Sequence, residues 1–408
     1  MMKQSVAVVG GGAAGLMAAV TAARAGKSVL LIEKMPRPAR KLMITGKGRC
    51  NLTNHTDRNG LIANVCHNGR FLYSAFSAFS AEDVMRFFEE AGVPLKTERG
   101  NRVFPVSDRS VDIVDALVRS AMQAGVRFQP GEVSEIVTDE AGVTAVRCRD
   151  GSVYPCDAAI LATGGLSYPA TGSTGDGFHF ARSLGHTVTE LRPSLVPFEI
   201  HEGFCSFLSG LSLKNVSFRV ATGGKTVFEE QGELLFTHFG LSGPLVLSAS
   251  AAIEAFPAAG VRAFIDLKPA LTSEQLDRRI LRDFEQAGGR ELLHAMEKLM
   301  PKKLISVVLS LAGIDPHTRV SGVTRNQREA LVRVIKALPL TVTGLRPFEE
   351  AIITRGGVSV REIDPRTMAS KLIKGLYFAG EIIDADAFTG GFNLQIAFST
   401  GYLAGKNV

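Results

Sequence analysis

A short apolar segment followed by a glycine-rich turn, near the start of the chain, constrains the fold most. Val6–Val9 is apolar without polar alternation, which is typical of a strand buried on both faces of a parallel sheet. A GxGxxG turn follows it, then a small-residue helix ending at Gly26 and a second apolar strand ending at Glu33. The turn contains the residues that we predict to contact a dinucleotide: Gly10, Gly12, Ala14 and Gly15. This order of elements predicts a Rossmann-like dinucleotide-binding unit.

Each residue type in this unit has a mechanical purpose. Gly10 permits a sharp turn, Gly12 lets the backbone approach a pyrophosphate, and Gly15 lets the helix pack closely on the strand. Phosphates at the helix N-terminus meet about half a positive charge. Glu33 lies 18 residues after Gly15, near the spacing of a carboxylate that binds a ribose 2′-hydroxyl, and Lys34 follows it. An acid at this position favours FAD or NAD over NADP.

Composition limits the remaining classes of protein. The chain has 408 residues, which at about 150 per domain predicts two to three domains, and its formal net charge is +6. It has no long run of like charges that would indicate a polybasic arm. No apolar stretch approaches the roughly 18–20 residues of a membrane span. Five cysteines without a CxxC pair fit a reducing compartment, so we expect a cytoplasmic protein that binds no metal.

A basic segment after the second strand indicates which dinucleotide is bound. Residues 40–54 combine cationic side chains with glycines and small polar groups, and such a loop can wrap a long dianionic ligand. A charged surface loop without a ligand is the alternative. The cofactor contacts predicted in this segment are Arg40, Lys41, Gly48, Arg49, Cys50 and Asn51.

The same segment, RKLMITGKGRCNLTN, resembles the characteristic motif of the BaiN/YhiN-type bacterial FAD flavoproteins. Thr45 stands where we expect serine and Lys47 where we expect glycine. The resemblance implies an FAD-binding domain of glutathione-reductase type, related to the fumarate reductase flavoproteins. It also implies an FAD-dependent oxidoreductase that exchanges hydride between flavin N5 and a small organic substrate. The expected reaction is reduction of a carbon–carbon double bond conjugated to a carbonyl, as in an enone or a bile-acid-like steroid.

The predicted fold class is α/β, a Rossmann-like FAD-binding domain interrupted by an insert. The FAD-binding domain comprises residues 1–192 and 346–408, and the insert comprises residues 193–345. Alternating short strands at 213–220, 225–228, 234–237 and 261–267 predict a small antiparallel β-barrel at about 193–270 and 339–345. Amphipathic segments with capping boxes at Thr272 and Thr324 predict a helical cap at about 271–338.

The remainder of the first part contains helices at about 80–91 and 112–125, a strand at 126–128 and three short strands between 133 and 155. In the family fold, Val133 offers its backbone to the adenine, although an ordinary strand residue is the alternative. A further apolar strand, Ala158–Ala162, precedes Thr163 and Gly164, which return the chain to the dinucleotide. A TGDG helix start contains Asp176, either beside the cofactor or as a plain helix cap.

The C-terminal part returns to the cofactor. An apolar strand ends at Gly380, with Glu381 and Asp384 positioned to contact ribityl or phosphate-side atoms in the family fold. The final helix opens at Gly391, and its backbone N–H groups face the pyrimidine edge of the flavin in that fold. The predicted contacts at this helix start are Gly391, Asn393, Leu394 and Gln395.

The sequence leaves several functional questions open. No residue is assigned as catalytic acid or base. His238 is either a candidate acid or a histidine that caps the helix starting near Ser242. Arg355 is either a candidate clamp for an anion or a carbonyl, or a surface arginine. No second GxGxxG unit is present, so NADH or NADPH would act as a transient reductant. Alternative functions are an RNA-modifying flavoenzyme and a non-catalytic flavin sensor. The lack of a basic stripe interleaved with aromatics, and of tryptophan, argues against nucleic acid, and nothing indicates an oligomeric state.

Overall fold

The computed structural model describes residues 3–253 and 260–408. The chain divides into two compact units. The first unit comprises Met1–Ser194 and Pro347–Val408, and the second comprises Leu195–Arg346. Each unit has its own hydrophobic core.

A five-stranded parallel sheet forms the centre of the first unit. Its spatial order is β19-β10-β1-β2-β6. The strands are β1 (Ser5–Val9), β2 (Ser28–Glu33), β6 (Arg127–Pro130), β10 (Ala158–Leu161) and β19 (Leu376–Phe378). In the register of the sheet, Val8 lies opposite Leu31 on one side and Ile160 on the other. The all-apolar segments predicted as buried strands are therefore the three central strands.

Smaller sheets surround this one. β3 (Thr53–Asn54), β5 (Arg102–Pro105) and β4 (Leu95–Glu98) form an antiparallel sheet in that order. β7 (Val133–Asp139), β8 (Gly142–Cys148) and β9 (Val153–Pro155) form the predicted antiparallel meander. β11 (Arg192–Ser194) pairs antiparallel with β18 (Ile353–Arg355).

The helices predicted in the first unit begin and end close to the predicted positions, whereas those at 40–44, 58–63 and 73–78 were not predicted. In chain order the helices of this unit are α1 (Ala13–Arg24), α2 (Arg40–Ile44), α3 (Arg58–Ala63), α4 (Tyr73–Ala78), α5 (Ala81–Glu90), α6 (Ser110–Gln123), α7 (Asp176–Ser183) and α14 (Phe392–Asn407). Short 3₁₀ turns occupy Thr45–Gly48, Gly69–Leu72, Pro169–Thr171, Val360–Glu362 and Gly380–Ile382. Gly175, and not Asp176, is the N-cap of α7, so the prediction of Asp176 as a plain cap is wrong.

Two buried helices, α1 and α14, cross in very close contact because small residues line the crossing. A Cβ atom at Gly401 would lie 2.4 Å from the carbonyl oxygen of Ala14, and one at Gly405 would lie 2.3 Å from that of Ala18. Any larger side chain at these glycines would force the helices apart. The close crossing connects the glycine-rich turn at the start of α1 to the last helix of the chain.

The second unit contains a closed six-stranded barrel in the order β12-β15-β14-β13-β16-β17. Its strands are β12 (Phe198–Ile200), β13 (Ser212–Thr222), β14 (Lys225–Thr237), β15 (Gly240–Ser242), β16 (Val261–Asp266) and β17 (Leu338–Leu345). We predicted two strands, at 225–228 and 234–237, where the structure has the single strand β14. The polar residues between them stay in the ladder because they pair with β13, for example Glu230 with Phe218.

The helices of the second unit are α8 (Phe204–Phe207), α9 (Pro244–Ala251), α10 (Ser273–Ala287), α11 (Leu292–Ala295), α12 (Lys302–Leu311) and α13 (Arg325–Lys336), with a 3₁₀ turn at Val320–Gly322. Both predicted capping boxes are present, from Thr272 to Gln275 and from Thr324 to Gln327. The prediction that His238 caps a helix is wrong, because Gly243 is the N-cap of α9. The His238 ring instead meets Phe239 edge to face at 4.9 Å.

A buried histidine of the first unit makes stability depend on pH. His186 is 3% exposed, its Nε2 lies 2.9 Å from Ser370 Oγ, and its ring packs on Phe378. Burial lowers the pKa of His186 below the usual 6.5, against the opposing effect of Glu362. The unfolded chain therefore takes up a proton at a higher pH than the folded chain does.

We expect the free energy of unfolding to fall as the pH is lowered through about 6.5, the usual histidine pKa, because protonation then favours the unfolded chain. His186→Gln should lose this component, as measured by urea unfolding at a series of pH values. His179 is exposed, so the variant His179→Gln should keep this component of the pH dependence. An unchanged pH dependence in His186→Gln would contradict the assignment.

Candidate functional site

The carboxyl ends of the five parallel strands meet at one edge of the sheet, which is where open α/β sheets bind ligands. The turns that leave this edge contain many of the predicted contact residues. They are Gly10 after β1, Glu33 and Lys34 at the end of β2, Val133 after β6, Thr163 and Gly164 after β10, and Gly380 and Glu381 after β19. The fold thus collects residues from five separate parts of the sequence.

The three glycines of the turn have different surroundings. Gly10 has a φ of +99°, and a Cβ there would lie 2.6 Å from the carbonyl oxygen of Ala162. A Cβ at Gly15 would lie 1.9 Å from the carbonyl oxygen of Gly10, so helix and turn touch directly. Gly12, the N-cap of α1, has no protein atom within 4 Å of such a Cβ. The helix N-terminus therefore opens onto free space at Gly12.

The carboxylate of Glu33 is fixed by the backbone. Its Oε2 accepts a hydrogen bond from Gly11 N at 2.6 Å, and its Oε1 accepts one from Met35 N at 2.7 Å. Each oxygen keeps acceptor capacity for a further donor. Lys34 turns instead toward the start of α7, where it contacts Thr174 and forms an ion pair with Asp176 at 2.5 Å.

Lys41 and Glu381 form a largely buried ion pair next to these turns. Lys41 Nζ lies 2.6 Å from Glu381 Oε2 and 2.5 Å from Ser167 Oγ. Glu381 Oε1 accepts hydrogen bonds from Ser167 Oγ at 2.7 Å and from Thr354 N at 2.9 Å. The pair thus joins α2, the turn after β10, β18 and the turn after β19. Ser167 and Thr354 carried no local signal that would have identified them in the sequence.

The remaining basic residues of the 40–54 segment have different environments. Arg40 is exposed at the start of α2, and Gly48 ends the following 3₁₀ turn. Arg49 contacts Glu98 and Asp108, and its guanidinium lies 4.2 Å from the centroid of Phe104. Its hydrogen bond lowers the pKa of Glu98. A contact of the Arg49 side chain with a cofactor stays a prediction.

Two buried polar atoms among the predicted contact residues have no hydrogen-bond partner. They are Asn51 Oδ1, which follows the 3₁₀ turn, and Thr163 Oγ1, which follows β10. A buried acceptor without a partner is costly and commonly marks the place of an absent ligand or water. Both residues were predicted from the sequence as cofactor contacts.

The N-terminus of α14 forms a second backbone surface. Its N-cap Gly391 has a φ of +98°, and a Cβ there would lie 2.4 Å from the backbone of Thr53. The Asn393 side chain holds the preceding loop through Ala387, bonding both its N–H and its carbonyl. The Gln395 side chain is fully buried and bonds Thr53 and the Phe79 carbonyl. Asn393 and Gln395 thus use their side chains to hold the helix start.

The other predicted residues are dispersed around these surfaces. Val133 is buried and pairs with Cys148, two residues after Gly131 donates to the Glu33 carbonyl. Gly380 donates its N–H to Thr400.

Burial raises the pKa of Asp384 above its usual value, although a hydrogen bond from Thr189 opposes this. Ala14 is buried in α1, Gly164 has a positive φ, Leu394 is partly buried and Cys50 is fully buried.

The thiols are free and protonated. Burial raises the pKa of Cys50, Cys66 and Cys205 to about 12 and that of Cys156 to about 11. We expect little labelling of the folded protein by a disulfide reagent at pH ~8, since only the thiolate reacts. All five cysteines should react in denaturant, as measured by released thiolate absorbance. Rapid stoichiometric labelling of Cys50 in the folded protein would contradict this.

Two other features bear on the kind of site. Within residues 3–253 and 260–408, no group of three or more His, Cys, Asp or Glu side chains is arranged to hold a metal ion. Among the helices that the structure describes, none has the length and apolar character needed to cross a membrane.

Residues 4–407 match the family described as HI0933-like protein Rossmann domain. The match covers nearly the whole chain, so the protein belongs to this family, and it is an FAD-dependent oxidoreductase. The resemblance to the BaiN/YhiN-type flavoproteins and the predicted fold class are confirmed.

Two curated relatives match almost end to end. The chain is 30% identical over 408 residues to the 3-dehydro-bile acid delta(4,6)-reductase of Clostridium scindens, covering 98% of each chain. It is 31% identical over 403 residues to the ribosomal RNA dihydrouridine synthase of Escherichia coli, covering 98% of this chain and 97% of the relative.

Among solved structures, the chain resembles the 3-ketosteroid delta1-dehydrogenase of Sterolibacterium denitrificans, with a TM-score of 0.55, 14% identity and 99% of both chains covered. It also resembles the 3-ketosteroid-delta4-(5alpha)-dehydrogenase of Rhodococcus jostii, with a TM-score of 0.53, 17% identity, and 100% and 97% of the chains covered. At these identities the likeness shows the fold alone.

The residues at the sheet edge fit FAD. The open space at Gly12 leaves room for a pyrophosphate against the start of α1. The fixed carboxylate of Glu33 offers acceptors for ribose hydroxyls, and the partnerless Asn51 Oδ1 and Thr163 Oγ1 are acceptors that a bound ligand would satisfy. Backbone N–H groups for a pyrophosphate and acceptors for ribose hydroxyls are the groups that bind an extended dinucleotide.

Proposed function

We propose that this protein is a reductase that adds hydrogen across a carbon–carbon double bond conjugated to a carbonyl in a small organic molecule. One observation carries the proposal: two relatives of different substrate class have names that describe the same bond chemistry. Dihydrouridine is uridine in which the C=C bond conjugated to a carbonyl has been saturated. A delta(4,6)-reductase of a 3-dehydro bile acid saturates C=C bonds that are conjugated to a ketone. We therefore propose for this protein the bond chemistry that the two relatives share, and not the substrate of either one.

The proposed cofactor contacts follow the geometry of the site. The N–H groups at the start of α1 bind the pyrophosphate, Glu33 binds the adenosine ribose, and the backbone of Val133 binds the adenine. Asn51, Thr163 and Glu381 supply polar contacts along the middle of the cofactor. The start of α14 at Gly391 offers N–H groups to the pyrimidine edge of the flavin.

Bound FAD supplies the hydride, and the protein residues orient the substrate and stabilise charge. N–H groups of a helix start are worth at most about 2 kcal/mol toward a nearby negative charge. About 1.4 kcal/mol corresponds to about 30 mV for two electrons. The start of α14 therefore adjusts the reduction potential by tens of millivolts only.

We infer that NADH or NADPH reduces the flavin by transient binding, because the sequence contains one GxGxxG unit. We also infer a cytoplasmic location, which is supported by five cysteines that are all free.

The test is to mix the purified holoprotein anaerobically with each nicotinamide and then with acceptors. We expect the flavin to bleach with one nicotinamide and to recover its colour with cyclohexenone or a 3-oxo-4-ene steroid. Cyclohexanone, which lacks the double bond, is the matched control and should leave the flavin reduced. Recovery with quinones or oxygen but with no enone would refute the proposal. Turnover with any acceptor would refute a purely sensory role.

A second candidate is reduction of uridine in RNA, which the 31% identity to ribosomal RNA dihydrouridine synthases favours. In the helical part of the second unit, Arg279, Arg325 and Arg328 form ion pairs with carboxylates, so contacts to phosphate would fall to the other basic side chains of that part. Reoxidation of the reduced flavin by a ribosomal RNA fragment, but not by free uridine or enones, would establish this alternative. RNA affinity should then fall steeply with salt.

A further inference from the structure

Two loop segments of the first unit, 64–68 and 384–388, run side by side close to the start of α14. The contacts between them are the Val65–Ala387 bridge and hydrogen bonds from Cys66 N to Asp386 O (2.8 Å), Phe388 N to Asn64 O (3.0 Å) and Asn68 Nδ2 to Asp384 O (2.6 Å). Backbone contacts along the whole length fix the relative position of the two segments.

A histidine and a buried carboxylate meet across this contact. His67 Nδ1 lies 2.6 Å from Asp386 Oδ1. The Asp386 side chain is 1% exposed, and its other oxygen lies 3.4 Å from Ser194 Oγ. The His67 side chain is 24% exposed. Because the two ring nitrogens lie on opposite sides of the imidazole, Nε2 is directed away from Asp386 and is free of that bond.

The pair is attached to the segment that leads into α14. Asp386 precedes Ala387, whose backbone N–H and carbonyl are both bonded by the Asn393 side chain in the first turn of α14. Gly391, the N-cap of this helix, is the proposed contact to the flavin pyrimidine edge. The imidazole is therefore tied through Asp386 to the backbone of the proposed reactive end of the site.

The other titratable and charged groups around His67 are Cys66, Asp384, Asp386 and Arg355. Burial raises the pKa of the Cys66 thiol to about 12, helped by Asp386 and opposed by Arg355, so Cys66 holds its proton too tightly. The carboxyl group of Asp384 lies close enough to His67 for an electrostatic interaction, and it accepts a hydrogen bond from Thr189. Histidine is the side chain that most often serves as a general acid.

We propose that His67, oriented by Asp386, is the proton donor to the substrate. This inference rests on the proposed reduction of a conjugated double bond. Hydride addition at the β-carbon moves the π electrons of the C=C bond toward the carbonyl and leaves an enolate. The enolate α-carbon takes the proton from Nε2, so a C–H bond forms and the N–H bond breaks. Neutral His67 regains a proton from solvent through its exposed edge.

The variant that tests this is His67→Gln in the FAD-loaded protein, with Asp386→Asn as the positioning variant. His179→Gln, an exposed histidine on α7, is the matched control. The flavin is reduced anaerobically and its reoxidation by cyclohexenone is followed by absorbance. We expect His67→Gln to slow reoxidation by about 100-fold or more, the usual contribution of a general acid. Asp386→Asn should slow it less and shift its pH profile, and His179→Gln should match the wild type.

Two further readouts do not depend on the rate. In D₂O the wild type should place deuterium on one face of the product α-carbon, whereas the residual product of His67→Gln should be labelled on both faces. The oxidised protein should bind para-nitrophenol as the coloured phenolate at a pH where the free phenol is protonated. His67→Gln should bind it colourless or not at all.

The outcomes separate this inference from the proposed function. If enones reoxidise the wild type and His67→Gln equally fast, with the same facial labelling, His67 is a structural tie and the inference is overturned. If no enone reoxidises the wild type, the proposed function fails. In that case phenolate binding that requires His67 would still support an acid site, and equal binding by His67→Gln would overturn it.

Discussion

Gly12→Asp should give a protein that folds at least as stably as the wild type and no longer retains FAD. Gly12 has ordinary φ and ψ angles of −76° and −172°, and a Cβ there meets no protein atom within 4 Å. Aspartate at an N-cap gains a few tenths of a kcal/mol over glycine, and its charge adds about 0.3–1 kcal/mol at a helix start. The same carboxylate would face the pyrophosphate, and at about 4 Å and an effective dielectric of about 20 each charge pair costs about 4 kcal/mol.

The expected loss of FAD affinity is therefore several hundredfold or more, measured by fluorescence titration of the FAD-free protein. Urea unfolding without FAD measures stability, and added FAD should raise the midpoint of the wild type only. Gly12→Asn, which has a similar shape without the charge, should weaken binding less. Equal affinity of Gly12→Asp and wild type would show that the pyrophosphate does not lie at this helix start.

Gly15→Ala should have the opposite effect, a loss of folding stability. The added Cβ would lie 1.9 Å from the Gly10 carbonyl oxygen and 3.3 Å from the Ala162 side chain. Both the oxygen and the helix are backbone, so α1 would have to move away from β1 by more than an ångström. Overpacking of this kind costs about 1–3 kcal/mol and occasionally more, and we expect the upper end here.

Urea unfolding of the FAD-free protein measures this loss, and Gly12→Ala is the matched control. The same methyl group is added three residues earlier, where it meets open space, so the free energy of unfolding should fall only by the cost of alanine in place of glycine at an N-cap, about 1 kcal/mol or less. Comparable losses in the two variants would show that helix propensity, and not the contact with Gly10, determines the effect.

The first β–α–β unit was predictable because its determinants are contiguous. The strand, the glycines, the helix and Glu33 lie within the first 33 residues, and each acts on its immediate neighbours. The capping boxes at Thr272 and Thr324 were predictable for the same reason, since each bonds a residue three positions away. Local chemistry of this kind is visible in the order of residues.

Predictions that depended on a partner elsewhere in the fold were less accurate. Strand β14 continues through residues 229–233, which look like a turn, because β13 pairs with them along its length. His238 looked placed to cap a helix, but the chain turns at Gly243 and the helix begins there. In both cases tertiary contacts overrode the local pattern.

The sequence by itself determined that this chain contains a dinucleotide-binding unit, and it predicted which residues of the glycine-rich turn approach the ligand. Only the tertiary structure decided which distant side chains meet, such as Lys41 with Glu381, 340 residues apart, and His67 with Asp386, 319 residues apart. The reason is that a parallel sheet brings the ends of strands together irrespective of their separation in the sequence. Which loops then touch depends on sheet order and packing, and a local residue pattern does not encode either of them.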